Sequence, residues 1–317
     1  MMMLDDDGVA AALDWPVLIA ALREGHRRGI DAAERMLLSD TQAEDANHFL
    51  IWPAWRFGAY CGIKLVTIFP ENPQRYGRDT NATVYVLFDG RDGRPLAVIE
   101  GAQFTLRKTA ADSALGATFL ARPEVQTLLM VGAGAQAPWQ IRALTSARPS
   151  IRRVLIWNRT SEKAARLAAE IAASGLDAAA VDDLDATVPQ ADIISTATAA
   201  TAPLLKGALL SAGVHVDLIG GFTPRMREAD DEVMRRAAIF VDSRRFTLGV
   251  CGDLTQPIAA GVIAETDVRA DLFDLSRGTH PGRNSADEIT LFKNGGGGHL
   301  DLMTAIAAYE RSIGGAR

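Results

Sequence analysis

The residues of this chain whose types and spacing could do chemistry begin with a glycine turn. Gly132, Gly134 and Ala137 spell G-x-G-x-x-A directly after the apolar run LLMV and directly before a helical pattern. Glycine lets the chain turn sharply there and lets the backbone approach a pyrophosphate, whose charge then meets the positive end of a helix. About one chance match is expected at this usage of Gly and Ala, so context decides. A second strand-like run, RVLIW, follows at the distance of a βαβ unit. The turn therefore predicts a dinucleotide held along Gly132, Ala133, Gly134, Ala135 and Gln136. The second run ends in Asn158-Arg159-Thr160 and carries no acid. A carboxylate there would hold the ribose hydroxyls of NAD, whereas Arg159 can pair with a 2′-phosphate. These residues favour NADPH, with NADH as the alternative. The plainer reading is a solvated arginine beside a Thr160 or Ser161 helix cap. Thr196, Ala197 and Thr198 end a further run, DIISTAT, where a parallel sheet presents its ligands. No His, Asp or Glu spacing suggests a metal.

These positions need two kinds of support. From about Trp15 to Leu38 the apolar spacing is helical, with a basic middle at Arg23, His26, Arg27 and Arg28. FLIWPAW, GIKLVTIFP, TVYVLFD and PLAVIEG then read as strands, the last two joined through Asp92-Gly93, a hairpin signal. Up to Gly101 this pattern predicts an antiparallel sheet. TLRKTAADSALGATFLARP reads as a helix ended by Arg122-Pro123. Beyond it, short apolar runs alternate with helical segments, the pattern of a parallel sheet covered on both faces. The last stretch holds one strand-like piece, the run Gly295 to Gly298 and a terminal helix.

The chain has 317 residues, enough for two domains, and its 48% hydrophobic and 23% charged content excludes a disordered chain. A net charge of −6 argues against nucleic-acid binding. No apolar run reaches the roughly 18 residues of a membrane span. Three acids precede the first apolar stretch, the wrong charge order for a secretory signal. Cys61 and Cys251 alone make neither a disulfide framework nor a zinc site, so the expected compartment is the cytoplasm.

GIKLVTIFPENP, VLFDGRDGRPLAVIEG, TLRKTAADSALGATFLARP, MVGAGAQA, HVDLIGG and ITLFKNGGGG occur in this order between about Trp52 and Leu302. Together they resemble the ornithine cyclodeaminase/mu-crystallin family. The resemblance implies an α/β homodimer. A Rossmann-type parallel-sheet domain would cover 123–289. A mostly antiparallel α+β domain, completed by the C-terminal segment, would cover 1–122 and 290–317, form the dimer and contribute half of the active site. The substrate would be a small α-amino or α-imino acid lying between the domains. Lys64 would lie at that substrate, and Arg35 is the best candidate for gripping its carboxylate. The R-T-A-A signature stands here as Lys108-Thr109-Ala110-Ala111, with Arg107 one step earlier, so Lys108 or Arg107 would assist. Thr109, taken at a helix start, and Thr80 and Asn81 match positions near the cofactor.

Where cyclodeaminases of the family carry an aspartate after HVDLIGG, this chain has Phe222. A phenyl ring moves no proton. Together with the acid-free second strand, this implies an NADPH-preferring reductase of cyclic imino acids, Δ1-pyrroline-2-carboxylate and Δ1-piperideine-2-carboxylate, with Phe222 as an apolar wall. The rivals are an ornithine cyclodeaminase, an alanine-type dehydrogenase and a non-catalytic binding protein. Asp217 or Asp301 could give the proton, as could Lys64 or water. The glycine run is either a backbone–ligand or closure element or a flexible loop, and His299 beside it reads as a packing histidine.

Overall fold

Runs such as YCGIKLVTI and TVYVLFD are rich in β-branched and aromatic residues, which suit a pleated surface packed on at least one face. In the computed structural model, which describes residues 1–40 and 47–314, both are strands. The chain divides into two units, Met1–Lys108 with Gly297–Arg317, and Thr109–Gly296. The first holds β1 (Met2–Leu4), β2 (Ala32–Ala33), β3 (Met36–Asp40), β4 (Asn47–Arg56), β5 (Tyr60–Ile68), β6 (Asn81–Asp89) and β7 (Pro95–Glu100). They lie in the order β1-β7-β6-β5-β4-β2, with β3 also on β4. Every pair is antiparallel except β1 with β7. β6 and β7 form the expected hairpin, with Gly93 at φ 76° in its turn. The C-terminal helix, Gly298–Gly314, packs across β4, β5 and β6.

Two local expectations change. The first long helix runs only over Trp15–Arg28 and ends at Gly29, whose φ of 87° a side chain would resist. Met36–Asp40 then finds a partner in β4 instead of continuing the helix. The helix after β7 spans Gly101–Leu120, so Thr109 sits in its middle and not at its start.

The second unit contains β8 (Thr127–Val131), β9 (Arg153–Trp157), β10 (Asp177–Ala180), β11 (Ile193–Thr196), β12 (His215–Leu218), β13 (Ala238–Val241), β14 (Val268–Asp271) and β15 (Thr290–Lys293). All pair in parallel, in the order β10-β9-β8-β11-β12-β15-β13-β14. Leu128 and Met130 pack toward Ile141, Leu144, Leu167 and Ile171 on one face. Leu129 and Val131 turn to the other face, with Leu205, Val233 and Leu254. Burial on both faces is why these strands read as unbroken apolar runs. Each such side chain contributes about 1.5–3 kcal/mol.

The parallel unit takes more of the chain than 123–289. β15 lies between β12 and β13, so 290–296 fall in the parallel unit and not with the C-terminal helix, and the unit begins at Thr109 within the long helix. Strand order reverses between β8 and β11, the switch point where doubly wound sheets bind ligands.

Candidate active site

Strand register builds a cluster of charged and aromatic side chains in the first unit. Trp52 pairs with Lys64, and Lys64 with Tyr85, so the three side chains form a row on one face of β4, β5 and β6. The C-terminal helix brings Asp301 onto that row. Lys64 Nζ lies 2.8 Å from Asp301 Oδ2, and Lys108 Nζ lies 3.0 Å from Asp301 Oδ1. Both ammonium groups also face the Trp52 ring, at 4.0 and 5.6 Å from its centroid. Lys64 and Lys108 are 4% and 2% exposed, and Asp301 is fully buried. Two buried cations thus share one carboxylate, and this trio carries one positive charge in excess. Burial, aided by Lys108 and opposed by Asp301, pushes Lys64 down to about 8.

The surrounding residues fit tightly. Gly62, two positions before Lys64, leaves room for Tyr85: a Cβ there would stand 2.2 Å from the Tyr85 hydroxyl. Tyr85 packs on Phe104, and burial, with Asp301 and Cys61 nearby, raises its pKa well above the ordinary value. His299 is buried edge-on to His26 at 5.7 Å, and burial, His26 and Lys108 hold it well below its ordinary pKa.

The long helix chooses between the two adjacent cations. Lys108 turns toward Asp301, while Arg107, about 100° away around the helix, donates to the Leu13 carbonyl at 2.8 Å and covers the Trp15 ring. Arg35 lies exposed in the link between β2 and β3 and takes no part in the lysine–aspartate trio. Asn81 opens β6 exposed, and the Thr80 carbonyl accepts from the Phe69 amide.

In the second unit the glycine turn has the form expected. Gly132 has φ 110°, and a Cβ there would lie 2.5 Å from the Ala197 carbonyl oxygen. A Cβ on Gly134 would meet nothing within 4 Å, so the chain is open in front of the helix Ala137–Ala147. Among the described residues no acceptor takes the amides of Gly134 and Ala135, both exposed. Gln136 stands at the cap position of that helix. Asn158 ties the turn to the end of β9: its Oδ1 accepts from the Ala133 amide and its Nδ2 donates to the Thr160 carbonyl. Arg159 and Thr160 are exposed beside it, and Thr160 caps the next helix without a side-chain hydrogen bond. Orphan amides at a helix start, with an exposed cation nearby, suit an anionic dinucleotide.

Four fully buried acids lie beyond β11 and β12 or within the sheet. Asp217 Oδ2 accepts from Ser195 at 2.7 Å and Gln140 at 3.4 Å, and burial raises its pKa to about 7. Asp217 is fully buried inside β12. Thr196 and Thr198 give their hydroxyls to Glu228. Asp253 pairs with Lys293 at 3.1 Å. Asp242 accepts from the amides of Gly295 and Gly296 at 3.0 and 2.6 Å, so the glycine run is pinned where it leaves β15. Thr109 offers its carbonyl to Asn294. Phe222, 61% exposed, follows Gly220-Gly221.

Sequence reasoning missed Trp52, Tyr85, Glu228, Asp242 and the Asp253–Lys293 pair as partners, and weighed Asp301 only as a proton donor. The available signals were an acid within the apolar helix HLDLMTAIAAY and the alternation that puts Trp52 and Tyr85 level with Lys64.

The ornithine cyclodeaminase/mu-crystallin family matches over residues 13–316. A Δ1-pyrroline-2-carboxylate reductase of Paracoccus denitrificans is 46% identical over 301 residues, 92% of this chain and 91% of that protein. The solved Δ1-pyrroline-2-carboxylate reductase of Thermococcus litoralis, in complex with NADH and L-proline, superposes with a TM-score of 0.90 at 27% identity, covering 100% and 98% of the two chains. The iminosuccinate reductase of Paracoccus denitrificans, in complex with NAD+, gives 0.88 at 27% identity, covering 100% and 97%. Among the described residues no helix is long and apolar enough to cross a membrane.

Proposed function

Because the chain belongs to the ornithine cyclodeaminase/mu-crystallin family, we propose that it is an NAD(P)H-dependent oxidoreductase of CH–NH bonds. It reduces Δ1-pyrroline-2-carboxylate to L-proline and Δ1-piperideine-2-carboxylate to L-pipecolate, with NADPH preferred over NADH. The observation that carries this reading is the buried Lys64–Asp301–Lys108 trio, in which two cations share one carboxylate. The relative from Paracoccus denitrificans and the Thermococcus litoralis complex support the substrate class. The exposed Arg159 supports NADPH.

The reduced nicotinamide, when bound, supplies a hydride to the imine carbon. The chain's own residues do the rest. Lys108 and Lys64 draw the substrate carboxylate and fix its plane, which converts a collision into an oriented encounter. Lys64, protonated below about pH 8, gives its proton to the imine nitrogen. Asp301 opposes the effect of burial on Lys64 and favours its charged form. Phe222 replaces the proton-moving acid of a cyclodeaminase, so ring-closing chemistry lacks that residue. The family resemblance extends the proposal to a cytoplasmic homodimer, and the exposed Met36, Leu37 and Leu38 on β3 give it an apolar surface.

The test is oxidation of NADPH and NADH with each cyclic imino acid, alongside pyruvate plus ammonia and L-ornithine plus catalytic NAD. Turnover on the cyclic imines with NADPH favoured is expected. Ammonia release from ornithine without net reduction, or dinucleotide binding with no turnover, would refute the assignment.

A further inference from the structure

Both carboxylates behind the HVDLIGG run have claimed the space of its glycines. A Cβ on Gly220 would lie 2.4 Å from Glu228 Oε1 and 2.0 Å from the Thr198 carbonyl oxygen, and one on Gly221 would lie 2.1 Å from Asp253 Oδ2. Glu228 is fully buried and accepts four hydrogen bonds. Oε1 takes the Thr198 amide at 2.8 Å and the Thr198 hydroxyl at 2.7 Å; Oε2 takes the Thr196 hydroxyl and the Gly220 amide, each at 2.7 Å. Its main chain holds the far end of the same loop, because the amides of Leu204 and Leu205 donate to the Glu228 carbonyl at 2.8 and 2.9 Å. Its own amide donates to Asp253 at 2.7 Å, and Asp253 pairs with the buried Lys293. One residue therefore closes residues 197–205 at both ends and ties them to the end of β12.

That loop is what the phosphate turn rests on. Gly132 lacks a Cβ where the Ala197 carbonyl approaches, and Thr198 Cγ2 stands 3.2 Å from the same point. β8 and β11 flank the switch point of the sheet, so the loop after β11 forms the wall opposite the turn after β8.

We propose that Glu228 is a positioning residue for the dinucleotide, setting the wall from Thr196 to Thr198 against the Gly132 turn. The proposal rests on the dinucleotide reading of this unit and not on the identity of the imino acid. Glutamine at this place has the right shape but keeps one acceptor oxygen. Its NH2 group would face a main-chain N–H, of Thr198 or of Gly220, which cannot turn away. The wall then loses at least one charge-assisted hydrogen bond, a change on the order of tenfold in any equilibrium that needs the wall in place.

The experiment titrates purified full-length protein with NADPH, followed by dinucleotide fluorescence, and with 2′,5′-ADP, which probes the adenosine half alone. Glu228→Gln should weaken NADPH about tenfold or more and leave 2′,5′-ADP within about twofold. Thr198→Val, which removes one donor to Glu228 and keeps the shape, serves where the glutamine variant does not fold. It should weaken NADPH in the same selective way. If both probes weaken equally in a folded variant, Glu228 supports the unit as a whole and the proposal falls. It also falls, alone, if wild type binds NADPH and a folded variant binds it equally well. A wild-type chain that binds neither probe and also fails to bind NADH overturns the dinucleotide reading along with it.

Discussion

Removing either charged neighbour of Lys64 should move the alkaline limb of the pH–rate profile, in opposite directions. Lys64 must carry its proton to give it away, so kcat/KM should be full below the pKa near 8 and fall as pH rises through it. Lys108 Nζ and Lys64 Nζ lie within 3.0 Å of different oxygens of one carboxylate. They stand no more than about 8 Å apart, and at an effective dielectric of 20 their repulsion is then at least about 2 kcal/mol, or about 1.5 pKa units. Lys108→Met should shift the limb upward by about 1.5 units or more while raising the substrate KM. Asp301→Asn removes an attraction across 2.8 Å. The same arithmetic gives about 6 kcal/mol as a ceiling. Water entry reduces this, so a downward shift of at least about one unit is expected. The assay is initial-rate oxidation of NADPH from pH 6 to 10, at limiting imino acid. Titration of the imine itself is common to all three proteins and cancels in the comparison. Limbs that stay together, or move in the same direction, would refute the assignment of Lys64 as proton donor.

Arg159→Asp should weaken NADPH by about a hundredfold and NADH by less than about threefold in equilibrium titrations, since only one of them carries a 2′-phosphate; equal losses would remove Arg159 from the cofactor site. Gly62→Ala should cost about 1–3 kcal/mol in urea unfolding, because the new methyl meets the Tyr85 ring in a packed core, and an unchanged midpoint would mean that the ring can move aside. Asp217, with its folded pKa raised to about 7 from an ordinary 3.8, holds its proton longer when folded, so its contribution to stability falls as pH rises between these values. Asp217→Asn should therefore gain on wild type by up to a few kcal/mol between pH 5 and pH 8, read from unfolding midpoints.

The parts legible in the sequence were those fixed by local pattern. Apolar runs gave the parallel sheet, Asp92-Gly93 gave the hairpin, and Gly132 with Gly134 gave the turn. Local pattern failed where a distant segment supplied the deciding partner. Met36–Asp40 carries helical spacing, yet β4 takes it as an edge strand. The strand Thr290–Lys293 was visible, but nothing within it says that it inserts between β12 and β13. Residues of the candidate site divide in the same way. Lys64 was legible from the resemblance. Its counter-ion comes from the C-terminal helix, and Glu228 becomes meaningful only when its oxygens are seen to meet Thr196, Thr198 and Gly220.

This dependence on distant partners also explains the lysine in the K-T-A-A stretch, where the family signature resembled here has arginine. Asp301 offers two oxygens, and the structure gives one to Lys64 and one to Lys108. Each ammonium is a compact point charge that one oxygen can satisfy, and the Trp52 ring takes the remaining face of Lys64 at 4.0 Å. A guanidinium at 108 would present a fork matched to both oxygens at once. Each carboxylate oxygen has a second acceptor site, so Lys64 would keep its partner but share that oxygen with the fork. With Asp301 in this position, lysine at 108 leaves one oxygen to each ammonium and gives up the bidentate geometry that an arginine would bring.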